Sequence, residues 1–355
     1  MLPWLHVPFI HSANIRPTTK RMKKSLDQKM ARLRSDPSSR EFILTDAKDA
    51  DLALGLASPG PSRGQQNDRF PYRSIDEFRD LIREITQQQL VDVMLMSPRS
   101  NELLTIDERL FDDSPVTPAA RANDTSDVWL GMSGIYAQQP ALPHSTTTVD
   151  HIQSGRYPGD PEVRDRGADL ALFSVTFNND ARHDLAMLQA YKAFRLEAEE
   201  KGLRHFIEVF APNAPVNPVE DVPRFVNDAV ARTLAGITGG ARPLFVKMPY
   251  FGPAAMEQLV HYDPSMIVGI LGGSSGTTMD AFHMLWEAKK YGARAAFYGR
   301  KINNAEDQLT MVRYLRAVAD DEIEPAEAVH AYHADLKQAD IRPLRSLEED
   351  LQRSQ

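Results

Sequence analysis

The stretch Pro243-Leu-Phe-Val-Lys-Met-Pro-Tyr250 decides the fold that we predict for this chain. It is typical of a short apolar strand with a single lysine, Lys247, at its carboxyl end. In an eight-stranded α/β barrel, the carboxyl ends of the strands carry the catalytic residues. A lysine between apolar neighbours would be partly desolvated, which favours a neutral amine that can attack a carbonyl and form a Schiff base. The alternative is a surface lysine that closes a strand.

Seven further strands can be placed around this one, with helices between most of them. We predict these strands at 41–46, 91–97, 127–132, 167–177, 204–210, 266–271 and 293–298. A capping box formed by Ser74 and Glu77 opens one of the helices. Eight strands that alternate with helices indicate a parallel α/β fold. A doubly wound open sheet is the main rival, but the number of strands favours a (β/α)8 TIM barrel.

The chain divides into three predicted regions. Residues 1–40 form a basic N-terminal arm, residues 41–318 form the barrel, and residues 319–355 form a C-terminal helical extension. Residues 133–160 are a long polar insertion loop within the barrel, and loops of this length are often functional lids or disordered. A basic run such as that of the arm is more often a solvated helix, or packs on a neighbouring subunit, than a binder of RNA or an acidic partner.

Composition excludes several classes of function. The chain has 355 residues, a net charge of −8 and no cysteine. The acidic balance argues against a nucleic-acid partner, and no apolar run reaches the roughly 20 residues of a membrane span. The absence of cysteine excludes disulfides and thiolate metal sites, and the histidines fit no metal-binding spacing. Basic residues follow the apolar N-terminus instead of preceding it, so we expect a cytoplasmic protein.

Two glycine-rich turns follow the last two predicted strands. The first reads Gly272-Gly-Ser-Ser-Gly-Thr-Thr278, and the second begins with Gly299 and Arg300. Glycines allow successive N–H groups to point at one anion, and the positive end of the following helix would face the same place. Arg300 could bind a phosphate through two hydrogen bonds. The alternative is a pair of tight turns without a ligand.

These motifs together resemble the class I aldolases. The sixth strand reads Phe245-Val-Lys-Met-Pro-Tyr250, the seventh ends in Gly-Gly-Ser, and the eighth reads Phe297-Tyr-Gly-Arg-Lys-Ile-Asn-Asn-Ala-Glu-Asp307. The pattern is closest to the archaeal-type fructose-bisphosphate aldolases and the related tagatose-bisphosphate and deoxyribose-phosphate-type enzymes. The resemblance is good from 166 to 318 and weaker from 41 to 132. It is absent in the arm and in the insertion.

The resemblance implies a role for each matching residue. Lys247 would be the Schiff-base lysine, and Glu208 would be the acid on the fifth strand. Asp46 would close the first strand as a catalytic residue that orients protons at the carbinolamine stage, and the alternative for Asp46 is a strand-end carboxylate paired with Lys48 or another base. The substrate phosphate would be held by Gly272, Gly273, Ser274, Gly299 and Arg300. No metal or other cofactor is implied, and family members assemble as homo-oligomers.

The resemblance leaves the general acid/base open. The archaeal-type enzymes use a tyrosine on the fifth strand, where this chain has Phe210. The tagatose-type enzymes carry a second lysine on the fourth strand, but here that strand reads Leu172-Phe-Ser-Val-Thr176. Glu208 is our first candidate, because a carboxylate in a barrel mouth can have a raised pKa. It could equally form an ion pair with Lys247.

The sequence therefore predicts a class I aldolase-like lyase that acts on a phosphorylated ketose or another small carbonyl compound. Two other classes remain open. One is an imine-free phosphosugar isomerase or epimerase that uses Glu208 and Asp46. The other is a non-catalytic barrel that acts as a binding protein, with the basic arm as its interaction element.

Overall fold

A computed structural model describes residues 22–36, 38–62, 70–128, 134–273 and 276–354. Eight parallel strands form a closed barrel in which each strand pairs with the next and the eighth pairs with the first. The predicted TIM barrel is therefore confirmed. The strands are β1 Ile43–Lys48, β2 Val93–Met96, β3 Thr117–Arg121, β4 Leu170–Thr176, β5 Arg204–Phe210, β6 Val246–Met248, β7 Val268–Leu271 and β8 Ala295–Tyr298.

The predicted position of the third strand was wrong. Asp127 and Val128 lie in a turn, and 129–132 lie outside the described residues. The place between β2 and β4 is taken by Thr117-Pro-Ala-Ala-Arg121. This segment has the register of a barrel strand but not its usual composition, since proline and alanine are depleted in strands.

Helices surround the ring, and several of them are short. They are α1 Ser25–Ser35, α2 Ile75–Gln88, α3 Pro98–Asn101, α4 Val149–Ser154, α5 Ala181–Glu200, α6 Val222–Ala235, α7 Pro253–Tyr262, α8 Thr278–Lys290, α9 Arg300–Asn303, α10 Gln308–Ala319, α11 Pro325–Gln338 and α12 Leu347–Asp350. The predicted capping box of Ser74 and Glu77 is confirmed at the start of α2. Helix α7 was not predicted.

The side chains of each strand alternate between two apolar clusters. One cluster lies inside the ring and contains Ile43, Leu95 and Phe206. The other lies between the ring and the helices, and it contains Leu44 and Met94 together with helical residues. Because successive side chains of a strand point to opposite faces, this alternation shows which strand positions face the interior of the barrel.

Helix α1 closes the amino-terminal end of the barrel. Leu26 and Met30 are buried in the inner cluster, with exposed fractions of 0% and 4%. Lys29 donates from Nζ to Asp92 Oδ2 at 2.8 Å and to the carbonyl oxygen of Phe42 at 2.9 Å. One face of this part of the basic arm is therefore buried under the barrel.

The predicted insertion contains regular structure. Pro143–His144 pairs antiparallel with Asp124–Thr125, which follows β3. Helix α4 then begins at Val149, where the side chain of Thr148 accepts a hydrogen bond from the backbone N–H of His151. The insertion is therefore tied to the loop that leaves β3.

Candidate active site

Lys247 lies inside the barrel, with 5% of its surface exposed. It is the direct neighbour of Glu208 on β5 and of Gly269 on β7. Glu208 in turn lies opposite Ser174 on β4. All four of these strand positions point into the barrel, so one layer of its interior contains a lysine, a carboxylate, a hydroxyl and a glycine.

Glu208 and Lys247 form a buried ion pair. The distance from Lys247 Nζ to Glu208 Oε1 is 2.5 Å, and Glu208 is only 1% exposed. Ser174 Oγ donates to the other carboxylate oxygen, Oε2, at 2.6 Å, and Arg121 lies 3.4 Å from it. Burial alone would raise the pKa of Glu208, but the positive charges of Lys247 and Arg121 and these hydrogen bonds hold it below its usual range. Glu208 is therefore ionised at neutral pH.

Arg121, the last residue of β3, is the second buried cation of this site. Its Nη1 lies 2.6 Å from Asp49 Oδ2, and its Nε lies 2.7 Å from Asp124 Oδ1. Asn123 joins the same group, because its Oδ1 accepts from the backbone N–H of Ser174 at 2.6 Å. Sequence reasoning missed these residues. The signal was present as Arg121-Ala-Asn-Asp-Thr-Ser-Asp127, an unusually polar run directly after a strand.

An aromatic floor lies beneath Lys247. The rings of Phe206, Phe245 and Phe297 contact one another at centroid distances of 4.6 to 5.4 Å. Lys247 Nζ lies 5.4 Å from the centroid of the Phe297 ring. Gly269 makes room for this ring, since a Cβ atom at that position would lie 2.7 Å from Phe297 Cε2. The amine of Lys247 therefore has the apolar Phe297 ring below it and the Glu208 carboxylate beside it.

Asp46 does not join this cluster. Like Leu44, two residues earlier in β1, Asp46 points outward from the barrel. Its carboxylate forms an ion pair with Lys48 at 2.8 Å, and both side chains are fully buried. This is the structural alternative that the sequence offered for Asp46, a carboxylate paired with a nearby base. The acid that β1 directs towards the site is Asp49, which binds Arg121.

The two glycine-rich turns lie side by side at the carboxyl end of the barrel. Gly272 donates from its backbone N–H to the carbonyl oxygen of Phe297 at 2.8 Å. Two of the glycines are required by close packing, because a Cβ at Gly272 would overlap the Tyr298 ring and one at Gly299 would lie 2.3 Å from the carbonyl oxygen of Ala47. Gly273 is different, with a φ of +63° and no atom within 4 Å of a built Cβ. Ser274 lies outside the described residues.

Arg300 follows the second turn and is exposed at the first position of α9. Burial of part of the side chain lowers the pKa of Arg300, and the negative charge of Asp49 opposes this change. Arg300 therefore lies in the field of the same carboxylate that binds Arg121.

The positive end of α8 is already occupied, contrary to what the sequence suggested. The backbone N–H of Thr277 donates to Asp280 Oδ2 at 2.8 Å, and that of Thr278 donates to Asp350 Oδ1 at 2.7 Å. Asp350 belongs to the C-terminal segment and is 2% exposed, and its other oxygen lies 3.0 Å from His333 Nε2. The helix dipole thus acts on two carboxylates of the chain itself. Among the described residues, the turn at Gly273 and the side chain of Arg300 remain as candidate contacts for an anion at this end of the barrel.

The described residues contain neither a candidate metal site nor a candidate membrane-spanning helix. Within the described ranges, no group of three or more histidine, aspartate or glutamate side chains is placed to hold a metal ion. Among the same residues, no helix combines the length and the apolar character needed to cross a bilayer.

Comparison with solved structures finds aldolases among the most similar folds. A Schiff-base-forming fructose-1,6-bisphosphate aldolase matches with a TM-score of 0.57 and 16% identity over 84% of this chain and 100% of that one. An archaeal fructose-1,6-bisphosphate aldolase matches with a TM-score of 0.57 and 15% identity over 83% and 98%. A fructose-bisphosphate aldolase from Slackia heliotrinireducens matches with a TM-score of 0.62 and 14% identity over 86% and 89%.

At this level of identity the likeness establishes a shared fold. No protein-family model matches the sequence, and no curated protein matches it. What this chain does must therefore be argued from its own site.

Proposed function

We propose that the protein is a class I aldolase-like lyase that forms a Schiff base between Lys247 and a carbonyl substrate. The observation that carries this proposal is the placement of Lys247 inside the ring, 2.5 Å from an ionised carboxylate and above an aromatic floor. A buried lysine with a direct proton acceptor is the arrangement that produces a nucleophilic amine. The similar folds of Schiff-base-forming aldolases support the same reading.

Glu208 serves the first half of the proposed reaction. Its Oε1 accepts a proton from the Lys247 ammonium, and the neutral amine then adds to the substrate carbonyl to give a carbinolamine. The same carboxyl returns the proton to the carbinolamine hydroxyl, which leaves as water and produces the iminium. Ser174 and Arg121 hold Oε2 throughout, so the carboxyl can transfer the proton without changing its position.

The iminium then acts as an electron sink. When a base takes the proton of a hydroxyl group on the β-carbon, the bond between the α- and β-carbons breaks and its electrons form the double bond of an enamine. The released fragment is an aldehyde. Protonation of the enamine carbon and hydrolysis of the imine return the ketone and Lys247, and the reverse sequence forms the same bond.

A phosphorylated ketose is the substrate class that we propose. The turn at Gly272 and Gly273 and the exposed Arg300 lie at the same end of the barrel as Lys247, and loops after the last two strands are the usual phosphate site of this fold. If Arg300 binds the phosphate, Arg300→Ala raises KM for the phosphorylated substrate while kcat changes little. Unchanged kinetics in this variant would remove the phosphate assignment.

The test of the Schiff base is trapping with borohydride. The protein is incubated with dihydroxyacetone phosphate or fructose 1,6-bisphosphate, reduced, and analysed by peptide mass spectrometry. We expect the mass increment on Lys247, and none after Lys247→Met. Lys192 is exposed on α5, and Lys192→Met is the matched control. A 1,3-diketone, which forms a conjugated enaminone with a reactive amine, provides a probe that does not depend on the natural substrate.

The proposal is rejected if neither probe labels Lys247, because the imine is then excluded. Retained turnover of a sugar phosphate in that case would favour an imine-free isomerase or epimerase, and complete inactivity would favour a binding protein.

A further inference from the structure

A carboxylate outside the ion-pair network, Asp127, lies at the mouth of the barrel. It follows β3 by six residues, in the turn that leads out of the small sheet of Asp124–Thr125 and Pro143–His144. Thr176 Oγ1, near the end of β4, donates to Asp127 with distances of 3.3 and 3.4 Å to the two carboxylate oxygens. The side chain is therefore attached to the inner surface of the barrel, although it belongs to a loop.

The strand register shows where Asp127 lies relative to Lys247. Thr176 and Ser174 share the inward-facing phase of β4, and Ser174 Oγ binds Glu208 at 2.6 Å. Two residues of a strand span about 6.6 Å. Asp127 thus lies about one layer above the Lys247–Glu208 pair, towards the carboxyl ends of the strands.

The two carboxylates differ in their availability. Both oxygens of Glu208 have partners, and only 1% of the residue is exposed. Asp127 is only partly buried. Burial raises the pKa of Asp127, hydrogen bonds from Thr125 and Thr176 offset part of this rise, and the nearby negative charge of Glu208 adds to it. Glu208 is therefore placed to exchange a proton with Lys247 and the adduct that it forms, and Asp127 is placed to accept a proton from the rest of the substrate and to return it.

The polar insertion fixes the loop that carries Asp127. The backbone N–H of Ser126 donates to the carbonyl oxygen of Leu142 at 2.9 Å, and Ser126 Oγ accepts from the N–H of Leu142 at 2.9 Å. Val128 donates from its N–H to the carbonyl oxygen of Thr125 at 3.2 Å. These bonds hold both sides of Asp127. A catalytic group on a loop needs this kind of support to keep its geometry.

We propose that Asp127 is the general acid/base that acts on the substrate during the C–C bond step. This inference rests on the proposed function. In cleavage, Asp127 takes the proton of the substrate hydroxyl as the C–C bond breaks, and its carboxylic acid then protonates the enamine carbon, so that the carboxylate is restored after each turnover. Glu208 handles the protons of the amine and of the departing water. The two proton transfers are thus divided between two layers of the barrel.

The experiment measures the two halves of the reaction separately. Imine formation is measured by borohydride trapping with dihydroxyacetone phosphate. Enamine formation is measured as exchange of the α-protons of the same compound in D2O, and C–C cleavage is measured with fructose 1,6-bisphosphate. The variants are Asp127→Asn and Thr176→Val. The second keeps the carboxylate of Asp127 and its hydrogen bond from Thr125 but removes the hydrogen bond from Thr176. Asp113 is an exposed carboxylate that precedes β3, and Asp113→Asn is the control.

We expect Asp127→Asn to trap at the wild-type level while exchange and cleavage fall by on the order of 100-fold, a usual effect of losing a general acid/base. Thr176→Val should show the same pattern with a smaller loss. Wild-type exchange and cleavage in Asp127→Asn would overturn the assignment, and so would an equal loss of trapping and exchange in either variant. If Asp127→Asn does not fold, the assignment is tested with Thr176→Val, by comparing its trapping with its exchange and cleavage in the same way. Failure of the wild-type protein to trap would instead overturn the proposed function, and this inference with it.

Discussion

Lys247 Nζ and Glu208 Oε1 lie 2.5 Å apart on neighbouring parallel strands, in a layer from which bulk water is nearly excluded. Because a buried charge is costly unless it is paired, each of these residues needs the other in the resting protein. When the carboxyl accepts the proton of the ammonium, the neutral amine can add to a substrate carbonyl and form a carbinolamine. The pair is therefore a structural element at rest and a proton-transfer device in the proposed reaction.

Replacement of Glu208 by glutamine tests this dual role. The amide cannot take the proton of Lys247, so we expect the yield of the borohydride-trapped adduct to fall by on the order of 100-fold at neutral pH. Ser174→Ala, which leaves the carboxylate but removes one of its hydrogen bonds, should give a smaller loss. Wild-type trapping rates in Glu208→Gln would show that another group activates the lysine.

The stability of the protein should depend on Glu208 in a defined pH range. The pKa of Glu208 is lower in the folded protein than its ordinary value of 4.5, so its ionisation stabilises the fold above that value. This contribution is lost as the pH falls through the folded-state pKa. We expect the Tm of wild type to exceed that of Glu208→Gln at pH 7, and the gap to shrink below about pH 4. A gap that stays constant down to pH 3 would contradict this assignment.

Gly269 should tolerate no side chain. In Gly269→Ala the new Cβ would lie 2.7 Å from Phe297 Cε2 and 2.9 Å from Ala295 Cβ, so the ring beneath Lys247 must move. We expect a loss of about 1–3 kcal/mol in the free energy of unfolding, together with weaker trapping. Gly240→Ala is the control, because Gly240 is exposed and no atom lies within 4 Å of its built Cβ. Equal stability of the two variants in urea unfolding would contradict the packing argument.

The buried pair of Asp46 and Lys48 should matter for stability and not for chemistry. Lys48→Met leaves the fully buried Asp46 carboxylate without its partner, which we expect to destabilise the fold by about 3–5 kcal/mol. The double variant Asp46→Asn with Lys48→Met removes both charges and should recover most of this loss. Trapping at Lys247, measured per folded molecule, should remain at the wild-type level in the double variant. Its loss would return Asp46 to the list of catalytic candidates.

Asp350 should anchor the C-terminal segment to α8. In Asp350→Ala the backbone N–H of Thr278 and the His333 ring lose a buried acceptor, and we expect a loss of about 1–3 kcal/mol in the free energy of unfolding. Asp350→Asn keeps an oxygen that can accept from Thr278 and should lose less. Thermal unfolding of the three proteins measures the difference, and identical Tm values would show that the contact contributes nothing.

The sequence by itself determined the barrel and its central lysine. Apolar runs at regular spacing, with glycine and capping signals between them, predict parallel strands and helices because these periodicities follow from local backbone geometry. The same local pattern placed Lys247 and Glu208 on adjacent strands. It failed for β3, where Thr117-Pro-Ala-Ala-Arg121 carries little of the usual strand composition and is held in place by its neighbours.

The tertiary structure alone decided which polar residues meet. The inward or outward direction of a side chain depends on the exact register of its strand, and a shift of one residue reverses it. For this reason Asp46, which closes the predicted first strand, faces the helices, and Asp49 faces Arg121. Asp127 and Asp350 reach their partners Thr176 and Thr278 only because separate segments of the chain fold against the same end of the barrel. Such contacts depend on long-range packing, which no local pattern of residues encodes.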